Sequence, residues 1–125
     1  MKRLRSLGRD RAGGMVVDFA LTATPLLILM FGTMELGRML WLQNALNYSV
    51  EAAARCAAID VNNCKTSDQI KSYAAASSGS GFTSGTFTVT TPACGKQVAA
   101  SYPMSVDIPF GAVSITLTAQ SCYPT

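Results

Sequence analysis

The 125-residue chain contains no histidine. That removes the side chain most often used as a general base near neutral pH, and the commonest metal ligand. Neither G-x-S-x-G nor H-E-x-x-H occurs, so the familiar hydrolase constellations are missing as well. Basic charge is scarce beyond the N-terminus. Residues 15–125 carry five basic groups (Arg38, Arg55, Lys65, Lys71, Lys96) against six acidic ones (Asp18, Glu35, Glu51, Asp60, Asp68, Asp107). No basic surface is left for nucleic acid. These absences point away from an enzyme and from any cofactor, and towards a structural or interaction role.

Positive charge sits at the start instead. Residues 1–14 hold Lys2, Arg3, Arg5, Arg9 and Arg11 against Asp10 alone, and close on Gly13-Gly14. The next stretch, Met15–Met34 (MVVDFALTATPLLILMFGTM), has one charge, Asp18. About 20 mainly apolar residues match what a helix needs to cross a hydrocarbon core. Basic residues before a first span favour a cytoplasmic N-terminus, which puts the rest of the chain in the periplasm of a bacterial inner membrane. A cleaved secretory signal fits less well. Its apolar centre is about 7–15 residues followed by a small-residue site, whereas here the run continues through Gly32, Thr33, Met34 and Glu35 with no A-x-A. An uncleaved single-pass anchor carrying a periplasmic binding module is the alternative reading. Pro25 removes one backbone donor inside the run and offers a place to kink. Thr22 and Thr24 are nearby candidates to satisfy the carbonyl it frees.

All four cysteines, Cys56, Cys64, Cys94 and Cys122, follow the apolar run, at gaps of 8, 30 and 28 residues. A Cys₄ zinc site normally uses close pairs two to four residues apart. Disulfides in an oxidising compartment are therefore expected, and a metal is not. Charge bias and cysteine placement were read independently, and they agree on the compartment.

Beyond the run, Met39, Leu42, Leu46, Val50, Ala53 and Ala57 recur at spacings of three and four, the mark of an amphipathic helix. Glu35/Arg38 and Glu51/Arg55 are placed to support its solvated face. With no proline or glycine between residues 38 and 60, one helix is predicted from Met15 to Ile59, apolar all round and then one-faced. Asp60–Cys64 reads as a turn. Thr66 or Ser67 caps a short helix over SDQIKSYAAAS, with Asp68 in its first turn, and residues 77–85 form a Gly/Ser-rich loop. Strands are predicted at Thr86–Thr91, at Lys96–Met104 with Pro103 at its end or on an edge, and at Val113–Ser121 after a turn at Phe110-Gly111. The last strand would lay Val113, Ile115, Leu117 and Ala119 on the helix. The fold class is α+β, a long N-terminal helix packed on a small antiparallel sheet of about three strands. Four cysteines allow three pairings; the layout favours Cys56–Cys64 around the helix end and Cys94–Cys122 across the sheet.

Arg9 to Ala58, RDRAGGMVVDFALTATPLLILMFGTMELGRMLWLQNALNYSVEAAARCAA, resembles the TadE-like family of pseudopilins, minor subunits of tight-adherence (Flp, type IVb) pili that serve cell adhesion. The shared order is a basic leader, a glycine, an acid and an aromatic, an apolar span with a proline, Glu35-Leu36-Gly37-Arg38, and an alanine-rich helix. The resemblance implies a pilin-like body and cutting by a prepilin peptidase between Gly13 and Gly14, which places Asp18 fifth and Phe19 sixth from the new N-terminus. The family pattern has Glu where this chain has Asp18, one methylene shorter. A lone carboxylate in a span is costly and usually functional; here it would pair with the α-amino group of a neighbouring subunit. The implied organisation is leader 1–13, transmembrane half 14–36 and periplasmic head 37–125. The implied partners are the peptidase, other pilins and pseudopilins, the Tad inner-membrane assembly platform and the lipid bilayer.

Overall fold

The computed structural model describes residues 11–60, 62–108 and 111–125. The leader through Asp10 lies outside them, as does Phe110 of the expected turn. Helix α1 spans Arg11–Ile59 and α2 spans Ser67–Ser77; a 3₁₀ turn at Ser84–Thr86 precedes β1 (Phe87–Thr90), β2 (Lys96–Ile108) and β3 (Gly111–Tyr123). This is the predicted α+β arrangement, a long N-terminal helix on a three-stranded antiparallel sheet of order β1-β2-β3. The chain divides into two units, Met1–Gly37 and Arg38–Thr125.

In the first unit α1 is unbroken through Pro25, and nearly every side chain from Gly13 onward is exposed. Its surface is apolar all round, as a helix in lipid requires. The threonines hide their polarity by bonding backwards. Thr22 donates to the Asp18 carbonyl (3.0 Å), Thr24 to that of Ala20 (2.7 Å) and Thr33 to that of Met30 (2.9 Å). Each hydroxyl is thereby satisfied inside its own helix.

In the second unit the stripe of three-and-four spacing becomes core. Leu42, Leu46, Val50, Ala53 and Ala57 are buried, and Met39 packs against their edge. Ile70 and Ala74 of α2 join them, with Phe82, Phe87, Val98, Ala100, Met104, Leu117 and Ala119 from the loop and sheet. Phe82 meets Tyr102 edge-on at 4.9 Å between ring centroids. Ser49 is fully buried but donates to the Leu46 carbonyl at 2.9 Å, so no polar atom is stranded there. Thr66, not Ser67, caps α2. Its hydroxyl accepts from the Gln69 backbone N–H, while the Gln69 side chain accepts from the Thr66 N–H, a complete capping box.

Two strand expectations need correction. β2 does not end near Pro103 but runs on to Ile108. Pro103 pairs with Thr116 on β3, while β1 pairs with β2 only as far as Ala100. The side to which proline cannot donate is open at that point, so the strand survives it. β3 does bury Leu117 and Ala119, but Val113 is 46 % and Ile115 36 % exposed. The hairpin outruns the elements that cover it. Gly111, paired with Ile108, opens β3 and is not a residue of the turn between the strands.

Candidate functional site

Gly13 and Gly14 fall in the first turn of α1, where the leading N–H groups have no intrahelical acceptor. Each glycine also weakens a helix by about 1 kcal/mol relative to alanine. Nothing lies within 4 Å of where a Cβ would stand at either position. The bond between them is therefore open on all sides and in the most weakly held part of the helix. Asp18 and Phe19 follow one turn later, both exposed. Pro25 leaves the Leu21 carbonyl without its usual donor. Contrary to expectation, neither nearby threonine serves it, because Thr22 bonds to Asp18 and Phe19 and Thr24 to Ala20.

Two disulfides tie the second unit. Cys56 at the end of α1 joins Cys64 in the following turn, with Cα atoms 5.8 Å apart. Cys94, in the turn before β2, joins Cys122 on β3 at 6.3 Å. This is the pairing that the layout favours. Loop closures of this length stabilise by about 2.5 and about 3.5 kcal/mol through the unfolded chain. Among the described residues no cluster of His, Cys, Asp or Glu could hold a metal ion.

The second unit also carries a groove of about 810 Å³, which sequence reasoning did not find. Tyr48, Glu51, Ala52, Arg55 and Ile59 supply one wall from α1; Asp60, Asn63 and Tyr73 supply the rest. The wall on α1 is a second stripe at spacings of three and four, on the side away from the core. That spacing was the available signal. Glu51 and Arg55 form no ion pair across it, so both charges face the opening. Asp60 is fixed at one edge. Its carboxylate accepts from the Asn63 side chain at 2.8 Å and from the backbone N–H groups of Asn63 and Asn62 at 3.1 and 3.0 Å. These bonds, that of the Asn63 side chain foremost, hold its pKa below the ordinary value of 3.8. The groove thus offers two phenols, a guanidinium and two carboxylates. That set suits recognition of a polar surface, and its lining contains no base–nucleophile pair.

A family model described as TadE-like protein matches residues 13–55. No curated protein and no solved structure matches the chain. The matched segment begins at the first of the paired glycines, includes Asp18, Phe19 and Pro25, and ends at Arg55 on the groove wall; α2 and the whole sheet lie beyond it. It falls within α1, a helix long and apolar enough to cross a membrane. Residues 13–55 therefore form a TadE-like domain, and the chain is a protein related to the Tad pilus, from a family of structural and not enzymatic proteins.

Proposed function

We propose that this protein is a TadE-like pseudopilin, a minor subunit that takes part in starting or assembling a tight-adherence pilus. It is made with a cytoplasmic leader and a periplasmic head, cut between Gly13 and Gly14 by a prepilin peptidase, and then drawn from the inner membrane into the assembly. One observation carries the reading. The family match covers a single continuous helix holding, in order, the glycine pair, an intramembrane acid, an apolar run and an amphipathic stripe. The order makes physical sense: α1 is a lipid-soluble anchor before extraction and a subunit–subunit contact afterwards.

Asp18 has a stated role in this scheme. Cutting at Gly13 creates an α-amino group, and in the filament a neighbour's amino group neutralises the Asp18 carboxylate. Breaking such a buried pair on one side typically costs about 3–5 kcal/mol. Asp18→Ala should therefore reach the membrane and be cut, yet fail to support pilus assembly, while Asp18→Glu should restore it. Normal piliation with Asp18→Ala would remove the acid from the mechanism.

A second reading, an uncleaved anchor presenting the Tyr48–Tyr73 groove to a periplasmic partner, draws support from the groove itself. The N-terminus of the protein recovered from membranes separates the two.

A further inference from the structure

We propose that the end of the second unit nearest Arg38 is a lipid-contacting surface, with the β2–β3 hairpin end and the flanking turn of α1 resting in the headgroup region of the bilayer. This rests on reading Met15–Met34 as a membrane span.

Two hydrogen bonds set the direction of the hairpin. Gln43 donates from Nε2 to the Thr118 carbonyl at 2.9 Å, and Arg38 donates from its guanidinium to the Ser105 carbonyl at 3.4 Å. Thr118 pairs with Ser101. Going back along α1 from Gln43 to Arg38 thus means going along β2 from Ser101 to Ser105, towards the hairpin end. Ile108 stands three residues further on, about 10 Å at strand rise. Met34, the last residue of the apolar run, precedes Arg38 by only four residues, about 6 Å of helix. A bilayer whose hydrocarbon ends near Met34 has its headgroup layer within reach of the hairpin end.

The side chains there have the composition such a layer selects. Positions 98, 100, 104, 106 and 108 of β2 share one face with 113, 115, 117 and 119 of β3. Along that face burial is lost at one end only. Val98 and Ala119 are covered, whereas Ile108, Val113 and Ile115 are 45, 46 and 36 % exposed. On α1, Leu40 and Trp41, the sole tryptophan of the chain, are also exposed at this end. Tryptophan concentrates at membrane–water interfaces, and an arginine one turn away can rest its stem on lipid while its charge stays wet. Asp107, the acid of the hairpin end, belongs to the opposite face of the strand, outside the apolar row. The patch is a handful of side chains, against the roughly 20–30 residues a side that a stable protein interface gathers. A lipid surface needs no such area, because the span already holds the protein there.

The test uses the full chain in proteoliposomes and lipids brominated either near the acyl carbonyl or near the terminal methyl. The unaltered protein reports through Trp41. In a Trp41→Phe background, Val113→Trp, Ile108→Trp, Leu27→Trp and Thr88→Trp each give one probe. Trp41 and the Val113 and Ile108 probes should lose most of their emission to shallow bromine. The Leu27 probe should be quenched by deep bromine and the Thr88 probe by neither. If the Leu27 probe is quenched while those at Val113 and Ile108 behave like the Thr88 probe, the lipid surface is overturned and the span stands. Probes at Val113 and Ile108 that are shielded from aqueous iodide yet untouched by bromine would mean a protein partner, and overturn it equally. An unquenched Leu27 probe would overturn the span and this surface together.

Discussion

Gly95 lies between the disulfide-bonded Cys94 and the start of β2, with φ +120°, and a Cβ there would collide with the Tyr123 carbonyl and stand 2.8 Å from the Pro124 Cα. The obstacle is backbone, which cannot swing aside. Gly95→Ala should therefore lower the stability of the head by about 2–3 kcal/mol, strain and clash acting together. Gly85→Ala, whose Cβ would meet only the Thr83 hydroxyl at 3.8 Å, should change it by no more than about 0.5 kcal/mol. Thermal unfolding of the two variants in detergent, read by near-ultraviolet circular dichroism, makes the comparison. Asp60 makes a different demand. Its pKa is lowered on folding, so its contribution is complete above the ordinary carboxylate value and disappears as pH falls through the folded value. The gap in unfolding temperature between the native protein and Asp60→Ala should be present at neutral pH and close on acidification below 3.8. A gap that holds constant across that range would show that the turn does not depend on the carboxylate charge.

Among the elements, α2 is the one whose stability rests most visibly on a local device. Thr66→Ala removes the hydroxyl that accepts from the Gln69 N–H, and helix-capping losses of this kind cost about 1 kcal/mol. Hydrogen exchange at residues 67–70 should quicken in that variant before the sheet is affected. The same device made α2 legible beforehand, because its ends are written in adjacent residues. The core stripe of α1 was legible for a similar reason: periodicity reports directly which face is apolar. The sheet was harder. Alternation says which residues of β3 share a face, but not whether anything covers them, and so Val113 and Ile115 looked like core. Pro103 looked like a terminator because the sequence does not say which side of β2 is left unpaired. The groove was harder still. Tyr48 and Tyr73 are far apart in the chain and meet only because α2 folds back beside α1, tethered through Asp60 and the Cys56–Cys64 bridge.

At the scale of the molecule, the two units answer to different solvents. The first unit exposes apolar side chains on every side and folds its hydroxyls back onto its own carbonyls. The second buries one stripe of α1 under a small sheet and adds two disulfides to a core of limited size. Here the candidate site was the most legible part of the chain. The glycine pair, Asp18 and Pro25 all lie in one short stretch, where spacing in sequence is spacing along a helix. The head's partner surfaces depend on tertiary packing and were not. The central claim is that residues 1–13 are a removable leader and that the working subunit begins at Gly14. The direct measurement is the N-terminal sequence and intact mass of the protein isolated from cells with and without prepilin peptidase. A Gly14 start with the peptidase and a Met1 start without it is the predicted result; a Met1 start in both would contradict the claim.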